Sequence, residues 1–207
     1  MRLFLASEAK HPDAMTKMEG FVGGLKGKSI AYIPTAANGE GYESWKDGGS
    51  WKLVQTLNAN VSLLELEEYR NSSVVDGIKG KDIVWFAGGM CGYLMYWIRR
   101  CELDKHLKDI LDEGTVYVGS SAGSMITFKD INLSSWYIGD VEAGTENSPG
   151  LGLVDFEIYP HYEENLYEEI KKLYKGRKIY LLKNGEAVTV DGDVVKVLGE
   201  ERIISNG

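Results

Sequence analysis

A serine surrounded by small residues is the feature of this chain that most directly suggests chemistry. Residues 119–123, GSSAG, fit the pattern G-x-S-x-G, which forms a sharp strand-to-helix turn with an exposed central serine. Larger neighbours would clash at such a turn, so the small residues let the Ser121 hydroxyl stand clear. The backbone N–H of Ala122 would face a developing oxyanion. Ser121 is therefore the candidate nucleophile, whereas Ser120 and Ser124 are expected to have packing or capping roles.

A nucleophilic serine needs a general base, and the chain has 3 histidines. His11 precedes Pro12 in an N-terminal loop, and His106 lies in a charged, helix-like segment, so both are expected at the surface. His161 directly follows a predicted strand, at the edge of the sheet where sites of α/β proteins form. His161 is therefore the candidate base for Ser121.

Two glycines, Gly88 and Gly89, end the predicted strand that precedes the serine. Glycine lets a backbone N–H approach a reacting carbonyl closely, so this pair is a second candidate source of oxyanion donors. The alternative is a plain turn at the end of a strand. The position of His161 limits the fold, since only 46 residues, from 162 to 207, follow it. An α/β-hydrolase places its acid and histidine much farther beyond its serine.

The elements around these residues alternate between strands and helices, which is typical of a mostly parallel sheet with helices on both faces. The alternating tail from 186 to 204 adds two or three antiparallel strands. A long polar loop of a kind that is usually functional covers 129–152. Strands are predicted at 2–6, 29–33, 61–66, 83–87, 116–118, 154–159 and 178–182, and helices at 13–25, 45–57, 74–78, 93–101, 103–111 and 163–174.

Length and composition restrict the class of protein. A chain of 207 residues with 43% hydrophobic and 26% charged residues is expected to form one globular domain, residues 1–207. A net charge of −8 without a long basic run argues against nucleic acid and anionic membranes as partners. No segment approaches the ~20 apolar residues that cross a bilayer. Cys91 and Cys101 are too far apart for a CxxC motif, so a reduced, cytoplasmic chain without metal or cofactor is expected.

Five segments together resemble a known family: MRLFLAS, AYIPTAAN, VWFAGGMCGYLM, VGSSAGSMI and GLGLVDFEIYPHYEE. The chain resembles the peptidase E and cyanophycinase family of serine peptidases, whose fold is the flavodoxin-like α/β fold of class I glutamine amidotransferases. The resemblance implies Ser121 as nucleophile, His161 as base, and oxyanion donors in the backbone of Gly89 and Ala122. Members hydrolyse peptides beside acidic residues, and peptidase E removes N-terminal aspartate from dipeptides. A small peptide is therefore the implied substrate.

The segments that would recognise this substrate depart from the family pattern. Met90 and Cys91 stand where the family usually has Asn-Thr. The segment that contributes an arginine to the aspartyl carboxylate in peptidase E has no clear match, and residues 163–169 read EENLYEE instead. An acidic stretch would repel the carboxylate of a bound aspartyl residue, so the sequence does not favour specificity for aspartate.

Two carboxylates are candidates for the acid that would orient His161. Asp140 lies in the long loop at roughly the offset of the aspartate proposed in peptidase E, and it is the first choice. Glu186 is next, in the turn from 184 to 187 that matches a segment where related enzymes carry an acid, although residue 184 is Asn. Either carboxylate can also be a plain charge on a loop or strand edge.

Three functions fit these residues. The first is a serine hydrolase with dipeptidase activity, in which Ser121 attacks the carbonyl, His161 moves the proton, and water releases the acyl group. The alternatives are a binding protein that has kept the scaffold, and an esterase or amidase that acts on a non-peptide substrate. The sequence leaves the substrate side chain and the oligomeric state open, a homodimer included.

Overall fold

The strands form two β-sheets in the computed structural model, which describes residues 1–206. The strands in this part of the chain are β1 (Arg2–Ala6), β2 (Ser29–Ile33), β3 (Asn60–Leu63), β4 (Ile83–Phe86), β5 (Val116–Ser120), β6 (Glu157–Tyr159), β7 (Lys178–Leu181), β8 (Ala187–Asp191), β9 (Val194–Leu198) and β10 (Ile203–Ser205). The larger sheet has the order β3-β2-β4-β5-β1-β8-β9, and the smaller one β10-β7-β6. Neighbours from β3 to β1 are parallel, whereas β8 and β9 are antiparallel. The predicted sheet, mostly parallel with antiparallel C-terminal strands, is confirmed.

Helices cover both faces of the larger sheet, as predicted. The helices of the described residues are α1 (Pro12–Val22), α2 (Thr35–Asn38), α3 (Gly49–Thr56), α4 (Val75–Ile78), α5 (Cys91–Arg100), α6 (Leu107–Asp112), α7 (Ala122–Met125) and α8 (Tyr167–Leu173). Alternate strand residues face opposite ways, so Phe4 joins the core with Met18 of α1 and Val54 of α3. Leu5 joins the other core, with α5, α6, α7 and the smaller sheet. Within residues 1–206, no helix is long and apolar enough to cross a membrane.

The helices predicted over 13–25, 45–57, 103–111 and 163–174 are shorter in the structure. The helix predicted over 45–57 is divided into a 3₁₀ turn, Ser44–Asp47, and α3, because Gly48 between them is extended (φ −67°, ψ 142°). Glycine at such a position interrupts a helix easily, since it gains little from helical conformation. The helix that follows the serine, α7, is a single turn that ends at Met125.

The carboxyl ends of three parallel strands meet at one edge of the larger sheet. Strand β5 lies between β4 and β1, and Gly119 pairs with both Phe86 of β4 and Leu5 of β1. The loops that follow these three strands therefore converge, and Ser121 comes directly after β5. This edge is the usual position of a site in an open α/β sheet.

The smaller sheet brings a second pair of loops to the same place. Strands β6 and β7 are parallel, with Tyr159 opposite Leu181, and the N–H of Leu182 donates to the Tyr159 carbonyl at 3.0 Å. This register places His161, two residues beyond β6, beside Asn184, three residues beyond β7. The site is thus assembled from strand ends of both sheets.

Candidate active site

Ser121 lies on a strained turn between β5 and α7. Its backbone angles are φ 49° and ψ −113°, outside the regions that residues with side chains usually occupy. A Cβ atom on Gly119 would lie 2.6 Å from the carbonyl oxygen of Gly123, and one on Gly123 would lie 2.3 Å from that of Phe86. Backbone contacts this close exclude a side chain, which is the physical reason for both glycines of the motif.

His161 contacts the serine directly. Its Nε2 lies 3.1 Å from Ser121 Oγ, which is hydrogen-bonding distance. The histidine backbone also has a positive φ of 52°, and its N–H donates to Ser7 Oγ at 2.8 Å. The ring is partly exposed to solvent, so a substrate can approach the pair. The structure therefore brings together the two residues that the sequence selects.

Asn184 contacts the other nitrogen of the imidazole. His161 Nδ1 lies 2.7 Å from Asn184 Oδ1, and the Ser7 hydroxyl donates to the same oxygen at 3.2 Å. Because the Ser7 oxygen already accepts the His161 N–H, its own proton is directed at Oδ1 and holds the amide oxygen towards the ring. Nδ1 then carries the ring proton, which leaves the Nε2 lone pair facing the Ser121 hydroxyl. We call Ser121, His161, Asn184 and Ser7 the histidine network.

The two carboxylates predicted to orient His161 lie elsewhere. Within residues 1–206, neither Asp140 nor Glu186 approaches the imidazole to hydrogen-bonding distance. Asp140 lines a cavity beside Ser121, whereas Glu186 forms an ion pair with Arg202 at 2.8 Å. Asn184 replaces both as the neighbour of Nδ1, because the β6–β7 register places the turn after β7 against the histidine.

Sequence reasoning also missed two members of this network. The turn that contains Asn184 matches a segment of the family, but a search for a carboxylate there favours its neighbours. Ser7 ends the segment MRLFLAS, but that segment assigns it no role, and its place after β1, next to β5, brings it to the site.

The predicted oxyanion donors surround Ser121. In the described part of the chain, the backbone N–H groups of Gly89 and Ala122 have no hydrogen-bond acceptor. A Cβ on Gly88 would lie 3.3 Å from Ser121 Cβ, so this glycine also adjoins Ser121. Since α7 has only 4 residues, its dipole is small, and single N–H groups would have to stabilise an oxyanion.

Other candidate nucleophiles have structural roles. The Ser120 hydroxyl accepts from the Ala9 N–H at 3.0 Å, and Ser124 Oγ donates to the Ala6 carbonyl at 2.8 Å. Burial raises the pKa of the Cys91 thiol to about 12, which makes it a poor nucleophile. Among the described residues, no group of three or more His, Cys, Asp or Glu side chains is arranged to hold a metal ion.

A cavity of about 60 Å³ opens beside the serine. At 10–15 Å³ for each water-sized group, it has room for roughly four of them. Gly89 and Ser121 form one side of it, and Ser134, Asp140 and Glu142 line another. Burial raises the pKa of the Glu142 carboxyl above its usual value. We call this space the acidic cavity.

Known proteins are similar to this chain in sequence and in fold. A family model described as peptidase family S51 matches residues 3–198. An uncharacterized peptidase of Listeria monocytogenes is 29% identical over 203 residues, which cover 93% of this chain and 96% of the relative. Peptidase E of Nostoc sp. is 25% identical over 203 residues, 92% of this chain and 80% of that protein. The crystal structure of a candidate peptidase E protein from L. monocytogenes EGD-e has a TM-score of 0.79 at 26% identity, covering 95% of this chain and 96% of its own.

Proposed function

Because the chain belongs to peptidase family S51, we propose that it is a serine peptidase that hydrolyses small peptides through Ser121 and His161. The observation that carries this proposal is the 3.1 Å contact between Ser121 Oγ and His161 Nε2. Both residues hold positive φ angles that cost energy, and strain of this kind is enriched at active sites. Relatives that are named peptidase E support a short peptide as the substrate.

The reaction follows from the hydrogen bonds around the imidazole. His161 Nε2 accepts the Ser121 proton as Oγ attacks the carbonyl, and the N–H groups of Gly89 and Ala122 stabilise the resulting oxyanion. His161 then donates this proton to the leaving amine, and water hydrolyses the acyl-enzyme by the same route in reverse. Asn184 is neutral, so it orients the ring but brings no negative charge to the imidazolium.

A fluorophosphonate probe tests the nucleophile, since it reacts covalently with an activated serine. We expect wild-type protein to be labelled at Ser121, Ser121→Ala to remain unlabelled, and His161→Ala to be labelled much more slowly. Ser73→Ala is the matched control, because Ser73 is exposed and remote from the motif. Equal labelling of wild type and Ser121→Ala, or none of either, would contradict the assignment.

A peptide substrate is tested separately from the nucleophile. Dipeptides are supplied beside simple esters and amides, and the rate of each is compared with that of Ser121→Ala. We expect the dipeptides to be hydrolysed in a Ser121-dependent manner. If Ser121 is labelled but only the esters are hydrolysed, the assignment of Ser121 as nucleophile stands and the proposed peptidase activity is contradicted.

A further inference from the structure

The acidic cavity has negative charge in its wall and no positive charge. Asp140 and Glu142 line it, and neither lysine nor arginine does. Throughout residues 1–206, neither carboxylate forms an ion pair with a basic side chain. Two carboxylates that share a small space repel each other, and a bound cation would relieve that repulsion.

Glu142 is held in this wall by the first residues of α5. Its Oε1 accepts the backbone N–H of Gly92 at 2.7 Å and that of Tyr93 at 3.3 Å. A Cβ on Gly92 would lie 2.6 Å from Oε1, so the approach requires glycine. The Cys91 N–H also lies close to this carboxylate, and no hydrogen bond of normal geometry to Oε2 is formed in the part of the chain that the structure describes. Capping of α5 therefore explains one oxygen of this carboxylate and leaves the other available.

Ser134 points independently to a ligand in the cavity. Its side chain lines the cavity and is only 3% exposed, and its Oγ has no hydrogen-bond partner among the described residues. The neighbouring Cys91 thiol can offer only a weak contact. A buried hydroxyl left without a partner destabilises the fold, because its desolvation is not compensated. A ligand that donates hydrogen bonds would remove this cost.

We propose that the acidic cavity binds a primary ammonium group of the substrate. An ammonium has three donors and no acceptor, which matches acceptors on Asp140, Glu142 and Ser134. Since Gly89 and Ser121 border the same cavity, the ammonium belongs to the residue whose carbonyl is attacked. It is either the free α-amino group of a peptide or the side chain of a lysine. This inference rests on the proposed function, which supplies the reaction at Ser121. The negative charge of the cavity would repel an aspartate side chain.

Binding to Ser121→Ala protein tests the cavity without turnover. Calorimetry compares four peptides: Lys-Leu, norleucine-Leu and the N-acetylated form of each. Lys-Leu should bind about tenfold or more tightly than norleucine-Leu if the side chain supplies the ammonium, as expected for one partly buried ion pair. A similar loss on acetylation identifies the α-amino group instead. Binding of Asp-Leu should be weaker than that of either unacetylated peptide.

Substitutions in the wall connect this preference to the cavity. In the Ser121→Ala background, Asp140→Asn and Glu142→Gln should each reduce the preference several-fold, and both preserve an oxygen acceptor. Glu146→Gln is the matched control, because Glu146 is an exposed acid of the same loop that does not line the cavity. It should leave the preference unchanged.

The outcomes separate this proposal from the proposed function. Equal affinity for all four peptides, tightest binding of Asp-Leu, or no measurable binding at millimolar concentration would overturn the ammonium site, even with Ser121-dependent hydrolysis. A preference that both wall substitutions leave intact would overturn it as well. If the wall substitutions reduce the preference for the ammonium-bearing peptide, but the wild-type protein shows no Ser121-dependent hydrolysis, the ammonium site is supported and the proposed peptidase activity is contradicted.

Discussion

The two sides of Ser121 differ in whether their polar atoms are already satisfied. On one side, the histidine network is closed, with 3.1 Å from Ser121 to His161 and 2.7 Å from His161 to Asn184. On the other side, the exposed Asp140 carboxylate forms no ion pair, and the buried Ser134 hydroxyl has no hydrogen-bond partner among the described residues. Groups that are bonded before substrate arrives are preorganised for a reaction. The buried Ser134 hydroxyl would be stabilised by a ligand that donates a hydrogen bond to it.

The two sides also differ in the backbone that carries them. The histidine network stands on the ends of β1, β5, β6 and β7, whose positions are fixed by hydrogen bonds across two sheets. The acidic cavity takes its charged wall from the loop between α7 and β6. Loops on a rigid scaffold tolerate substitution more readily than strands do. We therefore infer that the reaction depends on the strand ends and the choice of substrate on the loop.

Loss of Ser121 or His161 should have the largest effect on activity. Ser121→Ala and His161→Ala should each lower kcat/KM for a dipeptide by roughly 10³–10⁶-fold, since the two side chains act on one proton. The double variant should be no slower than the slower single variant. Thermal unfolding should change little, because neither side chain fills the core. Activity near that of wild type in either variant would place the reaction outside the histidine network.

The sequence predicts the nucleophile and the base because local constraints determine both. The glycines at 119 and 123 are fixed by backbone contacts within the turn, and His161 follows its strand directly. Asn184 could not be predicted in the same way, since its place depends on the β6–β7 register, and a neutral amide is not expected at a position where an acid is sought. The acidic cavity depends on the path of an irregular loop, and no periodicity in the sequence determines that path.

Substitution of Asn184 should have the next largest effect on activity. It tests whether the histidine network needs only an acceptor that orients the imidazole, or also a negative charge. Asn184→Ala should lower kcat about 10- to 100-fold, because the ring loses the acceptor that fixes its tautomer. Asn184→Asp retains the acceptor and adds a charge that favours protonated imidazole. The acid limb of its pH–rate profile should therefore move to higher pH. Asn58→Ala, at an exposed asparagine, is the control for a general effect on the fold.

An Asn184→Ala enzyme with wild-type kcat and an unshifted pH profile in Asn184→Asp would contradict this role. The histidine would then be oriented by Ser7 alone, through its bond to the His161 backbone. Ser7→Ala in the same assay should then lower kcat although Asn184→Ala does not, since the Ser7 hydroxyl accepts the His161 N–H.

The smallest effect concerns the pH dependence of the acidic cavity. Burial is the main cause that raises the pKa of Glu142, and the charge of Asp140 adds to it. The backbone N–H groups of Gly92, Tyr93 and Cys91 act in the opposite direction. As pH falls, Glu142 should therefore take up its proton at a higher pH than an exposed glutamate does. The wall then loses negative charge, and the several-fold preference for an ammonium-bearing peptide should decline.

The ratio of affinities for Lys-Leu and norleucine-Leu, or for free and acetylated peptide, measures this decline in Ser121→Ala protein. Effects of pH on His161 act on both peptides and cancel in the ratio. Glu142→Gln should make the ratio less dependent on pH. A ratio that is independent of pH in both proteins would show that Glu142 serves α5 as a cap and does not contribute charge to the cavity. The two sides of Ser121 would then differ only in geometry.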